Sequence, residues 1–230
     1  MNLLWGSYFE RQARQNFRQA LFRLRRTLGK DALVCTGDEI SLAPNVVSSD
    51  VGRFQALVQD GGRHALTEAI KLYGGRLLPD LTMAGDAWSN WVNVERQRLE
   101  SLAMDAMTGL GEQELALGNA DEALRAARLA VAIDRLREDA HRVIIRALHA
   151  KGRRANALSH FEELISTLRR ELDVGPDADT VELAEELRRP LAKTARTRPS
   201  LATTWPHRVD AKNRPNVDWH ASCRLPKWHR

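Results

Sequence analysis

Side chains that can hydrogen-bond to DNA are concentrated in one short stretch near the start of the chain. In the major groove, arginine can bind guanine bidentately, and glutamine and asparagine can bind adenine in the same way. Arginine also binds backbone phosphates and so sets the register of a protein on the duplex. The candidate residues of this stretch are Arg11, Arg14, Gln15, Arg18, Gln19, Arg23, Arg25 and Arg26.

A single helix over residues 10–28 is predicted to position these side chains. Its larger apolar residues recur at the spacing of one narrow helical stripe, and they are Phe17, Leu21, Leu24 and Leu28. Gly29 follows the last of them and is a usual helix stop. A charged helix that is simply solvated would show the same pattern, so charge alone does not decide between DNA binding and exposure.

The polar arc of this helix suits contact with a duplex. Gln15, Gln19 and Arg26 lie opposite the apolar stripe, and we expect them near base edges. Three arginines beside the stripe are expected nearer the phosphate backbone, and they are Arg14, Arg18 and Arg25. Phe22 interrupts the arc. It could touch a thymine methyl group, but packing beneath the segment that follows is the favoured interpretation, because aromatic side chains are usually buried.

Two short β-prone runs follow the helix and predict a hairpin over residues 32–42. They flank a turn that contains Gly37. Thr36 could donate a hydrogen bond to a phosphate, whereas Asp38 and Glu39 would repel one. Thr36 is therefore the candidate DNA contact of this hairpin.

Equivalent residues recur 34 positions apart in the second half of the chain, which is the period of tetratricopeptide repeats. The pairs include Gly118 and Gly152, Ala123 and Ala157, Leu124 and Leu158, and Ala127 and Phe161. Each helical hairpin of such a repeat leaves an apolar face that only a neighbour can cover. We expect each glycine to permit close approach where a first helix ends, and helices at 51–108 and 178–189 to cap the stack. An ordinary helical bundle with a coincidental spacing is the alternative.

The chain is predicted to be helical from Asp50 to about residue 189. Asp50 is the expected N-cap of the first of these helices. Residues 86–117 are expected to form either one long helix or two helices with a break at residues 109–111. Further helices are predicted at about 63–73, 120–132, 137–151, 154–171 and 178–189.

The formal net charge of +5 is the sum of three zones, of which the first and last are basic and the middle one is acidic. Residues 1–30 hold seven basic residues and one acidic residue, and residues 31–189 hold 19 basic and 27 acidic residues. A basic head on an acidic body indicates a local contact with a polyanion. Residues 191–230 are basic, rich in proline and without hydrophobic period, so we expect a disordered tail.

The sequence gives no indication of a membrane span or of secretion. Its apolar runs fall short of the roughly 18–20 residues that a span needs, and the first residues lack the basic and apolar regions of a secretory signal. The two cysteines, Cys35 and Cys223, are far apart and fit a reducing compartment. We therefore expect a cytoplasmic protein that does not engage a membrane.

Enzyme and metal sites find little support in the residues. The glycine-rich phosphate loop, HExxH and GxSxG are missing, so neither catalysis nor a cofactor is expected. The helical histidines are expected to be satisfied or exposed, and they are His64, His141, His149 and His160. His220, Cys223 and His229 could bind a metal but lack a fourth ligand at regular spacing.

A series of short motifs places the chain near one known family. The motifs are Trp5, RQNFRQALFRLRRTLG at 14–29, DVGRF at 50–54, LYGGRLL at 72–78, LREDAH at 136–141, GRRANAL at 152–158 and LDVGP at 172–176. In this order they resemble bacterial SARP-type (antibiotic regulatory protein) activators over about residues 3–190. The resemblance covers the last part of a winged-helix domain and the bacterial transcriptional activator domain after it.

The resemblance implies a DNA-binding transcriptional regulator with a mainly α fold. A partial winged helix at 1–45, with recognition helix 10–28 and wing 32–42, would precede a tetratricopeptide-like, right-handed α-superhelix at 50–190 and the tail at 191–230. Double-stranded DNA is the implied partner of a complete winged helix. A second copy of the chain and RNA polymerase are candidate partners. Because the family's winged helix normally starts with elements upstream of Leu3, we expect its front part to be missing.

Two other interpretations stay open at this point. The helical repeats could serve as a protein-interaction module of a larger regulator, with a vestigial DNA-binding head. The chain could also be a non-functional remnant, which a partial head and an unusual tail would both suggest.

Overall fold

The protein is built of helices with one two-stranded hairpin near its start, which confirms the predicted mainly α fold. The computed structural model describes residues 2–5, 9–37, 39–43, 46–83 and 85–189. The predicted tail and the candidate metal ligands His220, Cys223 and His229 lie outside the described residues. Among the described helices, none has the length and apolarity to cross a bilayer.

The elements follow one another in a simple order. The first part of the chain contains α1 (Asn2–Trp5), α2 (Glu10–Leu28), a 3-10 turn (Lys30–Ala32), β1 (Leu33–Thr36) and β2 (Glu39–Leu42). The second part contains α3 (Asp50–Asp60), α4 (Arg63–Leu72), α5 (Asp86–Ala116), α6 (Ala120–Ile133), α7 (Glu138–Ala150), α8 (Arg154–Leu172) and α9 (Ala178–Arg188).

Helix α2 packs through its apolar side along only part of its length. Ala13 is buried, and the ring of Phe17 meets the ring of Trp5 in α1 edge to face, with centroids 6.1 Å apart. Farther along, Leu24 and Leu28 are 43% and 40% exposed. The predicted apolar stripe is therefore packed in its first half and open in its second half.

The hairpin lies beside the C-terminal end of α2. Strand β1 pairs antiparallel with β2, so that Leu33 is opposite Leu42 and Thr36 is opposite Glu39. Arg25 Nη2 in α2 donates a hydrogen bond to the Sγ of Cys35 in β1 over 3.2 Å. This bond connects the end of the helix to the first strand of the hairpin.

The 34-residue spacing corresponds to paired helices. Helix α5 packs against α6, and α7 packs against both α6 and α8. Ala123 and Ala157, one period apart, are both fully buried. Helices α3 and α4 cover α5 at one end, and α9 packs on α7 and α8 at the other. These outer helices cover the apolar faces that two repeats alone would leave open.

The expected role of the repeat glycines is wrong. Gly118 and Gly152 have φ angles of +79° and +71°, in the left-handed region. A Cβ at either position would have no atom of the described structure within 4 Å beyond its chain neighbours. The glycines are needed because the backbone turns in a conformation that other residues rarely adopt, and close approach has no part in it.

The N-cap of α3 also differs from the prediction by one residue. The Oγ of Ser49 accepts a hydrogen bond from the backbone N–H of Gly52 over 3.0 Å. Asp50 is instead the first residue of the helix. A carboxylate there interacts favourably with the positive end of the helix dipole, so Asp50 still supports the same helix start.

Helix α5 is continuous through residues 109–111, which decides between the two alternatives for this region. Gly111 is buried where α5 meets α7. A Cβ at this position would lie 2.8 Å from Cγ1 of Val143 and 3.4 Å from the carbonyl oxygen of Ala123. The close helix contact expected at the repeat glycines is therefore made by Gly111.

Alanine at Gly111 and at Gly109 should have opposite effects on stability. Alanine is favoured over glycine in a helix by about 0.8–1 kcal/mol at either position. At Gly109 the new Cβ would make an ordinary 3.8 Å contact with Leu66, so Gly109→Ala should stabilise the protein. At Gly111 it would overlap the fully buried Val143, so we expect the two variants to differ by about 1–3 kcal/mol. Urea denaturation measures this difference, and equal stabilities would contradict the close contact.

A pair of hydrogen-bonded histidines joins α7 to α8. Nε2 of His141 lies 3.0 Å from the carbonyl oxygen of Arg135 and donates to it, so Nδ1 is left as an acceptor. Nε2 of His160 lies 2.9 Å from that Nδ1 and donates to it. Both imidazoles are neutral in this arrangement. Burial lowers the pKa of His141, and burial together with His141 and Arg128 lowers the pKa of His160 to about 4.

The histidine pair should make the protein less stable in mild acid. In the unfolded chain both imidazoles take up protons below about pH 6.5, whereas folded His160 resists protonation until about pH 4. The free energy of unfolding should therefore be highest above pH 6.5 and fall as the pH drops towards 4. Nearby carboxylates, of Glu163 facing His160 and of Asp134, Glu138 and Asp139 near His141, moderate this loss.

Melting temperatures at pH 7.5 and pH 5 measure the effect. His160→Gln keeps an N–H donor but cannot titrate, so it should show a smaller fall in melting temperature than the wild type. His149→Gln, at an exposed position on α7, serves as the matched control and should behave like the wild type. A fall of equal size in wild type and His160→Gln would contradict the assignment.

Candidate nucleic-acid interface

The polar face of α2 brings the predicted base and phosphate contacts together on one exposed surface. All eight candidate side chains of this helix are exposed. Within α2, Glu10 is the single acidic residue. The helix therefore presents a cationic and amide-bearing face, and we call this set of eight residues the α2 polar face. They are Arg11, Arg14, Gln15, Arg18, Gln19, Arg23, Arg25 and Arg26.

The first two turns of the α2 polar face form a shallow depression. Arg11, Arg14, Gln15 and Arg18 surround a surface space of about 350 Å³. Arg14 is paired with Glu10 one turn earlier, and both side chains are largely exposed. Such exposed pairs contribute little free energy. A phosphate oxygen could therefore replace Glu10 as the partner of Arg14 at small cost.

Two polar side chains at the margin of this surface bond to each other. The Nε2 of Gln12 donates to the Oδ1 of Asn16 over 3.1 Å. This bond occupies one donor of Gln12 and the side-chain oxygen of Asn16. It leaves Gln15 and Gln19, nearer the middle of the surface, as the amides placed to reach a base.

The far end of the α2 polar face adjoins the hairpin. Arg25 is exposed and its guanidinium donates a hydrogen bond to the sulfur of Cys35. Thr36 is exposed at the end of β1, where it pairs with Glu39. Of the nine predicted DNA contacts, it is the one that lies on the hairpin and not on α2. Glu39 would repel a phosphate beside Thr36, so the hairpin adds no positive charge here. The positive charge of the interface comes from the arginines of α2.

Phe22 is not packed under the hairpin as expected. Its side chain is 66% exposed. The reason is its place on the helix, because residue 22 faces the same side as Gln15 and Arg26 and points away from the apolar stripe. The helical spacing in the sequence indicates this exposed position, and it is a better guide to Phe22 than the general tendency of aromatic residues to be buried.

Clusters of side chains that could bind a metal ion are absent from the described part of the chain. There, no group of three or more histidine, cysteine, aspartate or glutamate side chains lies close enough together to hold an ion. The histidine pair of α7 and α8 supplies two imidazoles whose facing nitrogens are occupied by their mutual hydrogen bond.

Comparisons with known proteins agree with this organisation. The family model of the bacterial transcriptional activator domain matches residues 49–188. The regulatory protein AfsR of Streptomyces griseus is 24% identical over 207 residues, which cover 85% of this chain and 21% of that protein.

A solved structure of Mycobacterium tuberculosis EmbR, in complex with a low-affinity phosphopeptide, has a similar fold. The TM-score is 0.69 at 22% sequence identity, and the match covers 83% of this chain and 54% of the EmbR chain. The chain thus spans about a fifth of AfsR and about half of EmbR.

Proposed function

The chain belongs to the bacterial transcriptional activator domain family, and from that premise we propose that it is a transcriptional regulator that binds duplex DNA through α2. The regulatory role is supported by its similarity to AfsR, which is named as a regulatory protein. The cytoplasm is the compartment in which such a protein would meet DNA.

One observation carries the proposal of DNA binding. The α2 polar face gathers six arginines and two glutamines on the open side of one helix, next to a hairpin. A helix of this kind fits the major groove, which is about 12 Å wide. Residues 31–189 have more acidic than basic residues, so the rest of the described chain would not attract a polyanion in the same way.

The side chains of the α2 polar face would divide into two tasks. Gln15, Gln19 and Arg26 face away from the packed side of the helix and would meet base edges. The other arginines would hold phosphates on either side of the groove, and they are Arg11, Arg14, Arg18, Arg23 and Arg25. Thr36 would add a hydrogen bond from the hairpin to the backbone.

The helical repeats would carry the regulatory contacts. Helices α3 to α9 form a continuous packed body, and the match of this region to an activator domain supports an effector role for it. A second copy of the chain and RNA polymerase are the partners that we propose for it. This assignment leaves DNA reading to α2 and the hairpin.

Selection from random duplex DNA by all 230 residues of this chain tests the function. At 50 mM salt we expect enrichment of one motif that contains both adenine and guanine, the bases that glutamine and arginine recognise. The logarithm of the binding constant should then fall linearly with the logarithm of the salt concentration, by about 0.9 for each phosphate contact. Failure to enrich any sequence, together with absence of binding at 50 mM salt, would overturn the proposal.

A further inference from the structure

We propose that Phe22 recognises a thymine through its 5-methyl group in the major groove. This inference rests on the proposed function, and it adds a specificity-determining residue to the arginines and glutamines. The proposal predicts that one base of the recognised sequence is thymine, which is recognised by the methyl group on its major-groove edge.

The position of Phe22 on α2 carries the proposal. At 3.6 residues per turn, Phe22 lies about 20° around the helix from Gln15 and about 40° from Arg26. The apolar stripe of Phe17, Leu21, Leu24 and Leu28 lies about 100–160° away from it around the helix. Phe22 is therefore near the middle of the α2 polar face, where a helix in the major groove comes closest to the bases.

The exposure of Phe22 is the second observation. Its ring is 66% exposed, whereas Phe17 and Leu21 on the packed side of the same helix are partly buried. In the major groove, thymine is the base that presents a methyl group, and phenylalanine is among the side chains that contact it. Burying the ring against that methyl group removes apolar surface of both partners from water.

The neighbours of Phe22 place its base close to those read by other side chains. Gln19 and Arg26 are three residues before and four residues after it, so their Cβ atoms lie about 5–6 Å from that of Phe22. The bases of one DNA strand rise by about 3.4 Å each. The thymine should therefore lie within about two base pairs of an adenine or guanine that Gln19 or Arg26 contacts.

The experiment compares the 230-residue chain with its Phe22→Ala and Phe22→Leu variants in the same selection from random duplex DNA. The wild type should enrich a motif with a conserved thymine, and Phe22→Ala should lose the preference at that position alone. Phe22→Leu keeps an apolar side chain and should retain part of it. Phe9→Ala is the matched control, because Phe9 is 91% exposed immediately before α2 and away from the middle of the polar face.

Replacement of each thymine of the selected site by deoxyuridine then isolates the methyl group. One such replacement should weaken wild-type binding about fourfold, which corresponds to burial of one methyl-sized group. The same replacement should leave the affinity of Phe22→Ala unchanged. Circular dichroism should show the same helix content in all variants, since the side chain is exposed.

The outcomes of these experiments distinguish failure of thymine recognition from failure of DNA binding. If the wild type selects a motif but no deoxyuridine weakens its binding, or if Phe22→Ala shows the same fourfold loss, Phe22 does not read thymine and the inference is overturned while DNA binding stands. A thymine preference that disappears in Phe9→Ala as well would also overturn it. If no sequence is enriched by any variant, the proposed function fails and this inference fails with it.

Discussion

Replacing Arg14, Arg18 and Arg25 together by alanine is expected to weaken binding to the selected duplex by about 100-fold at 50 mM salt. These arginines lie on the flank of the α2 polar face, where phosphates would be met, and charge-assisted hydrogen bonds that are partly screened by solvent contribute roughly 1 kcal/mol each. Loss of three phosphate contacts should also lower the salt slope by about 2.7. Fluorescence anisotropy titrations between 50 and 200 mM salt measure both quantities.

The matched control removes three arginines from the helical body. Arg128, Arg146 and Arg153 are exposed, and their replacement by alanine changes the net charge by the same amount. We expect this variant to lose less than about threefold in affinity, because its charges lie on the helical body, outside α2, and charges beyond about 10 Å are screened. Equal losses in the two triple variants would mean that the chain binds through its net charge and that α2 is not the interface.

Local signals explain why α2 could be predicted from the sequence. The apolar spacing and Gly29 lie within or next to the helix, and the structure has α2 at the predicted residues. The exposure of Leu24, Leu28 and Phe22 was not predictable in the same way, because it depends on what packs against the helix. A periodic stripe indicates which side can be buried, but it does not say how much of that side is covered.

The glycines show a different limit. The 34-residue period correctly predicted paired helices, yet the roles of the glycines were exchanged between two places. Gly118 and Gly152 make left-handed turns, and Gly111, expected at a possible break, lies against Val143 inside a continuous helix. The missing side chain of glycine permits both a positive φ and a close approach. Only the positions of neighbouring elements decide which of the two is used.

The candidate site combines predictable and unpredictable parts. The exposure of the arginines and glutamines follows from their polarity, so the composition of the α2 polar face could be predicted. The contact of Arg25 with Cys35 spans ten residues, and the contact of His141 with His160 spans 19. Neither contact has a local sequence signal, because each arises from the packing of one element on another.

Phe161→Ala should reduce the stability of the helical body by about 3–5 kcal/mol, the usual cost of removing a buried phenylalanine ring. Phe161 in α8 is 3% exposed and belongs to the core shared with α7 and α9. The guanidinium of Arg188 in α9 lies over its ring, 5.3 Å from the centroid. Its equivalent one repeat earlier is Ala127, so the large ring at this position distinguishes the second repeat from the first.

The loss of stability should be large because α9 packs against Phe161. Removal of the ring leaves a cavity between α7, α8 and the capping helix α9. A stack of only two repeats needs such a cap to cover its apolar end. Since domains of this size are stable by only about 5–15 kcal/mol, the variant should unfold at a clearly lower urea concentration, followed by circular dichroism at 222 nm.

Leu172→Ala, at a 54% exposed position of the same helix, is the matched control and should change stability by less than about 0.5 kcal/mol. At temperatures where Phe161→Ala remains folded, its affinity for the selected duplex should equal that of the wild type, since the α2 polar face is untouched. A stability loss below about 1 kcal/mol would show that α9 does not depend on Phe161 for its packing. A loss of affinity in the folded variant would instead show that the helical body takes part in DNA binding, and the division of tasks between α2 and the repeats would have to be given up.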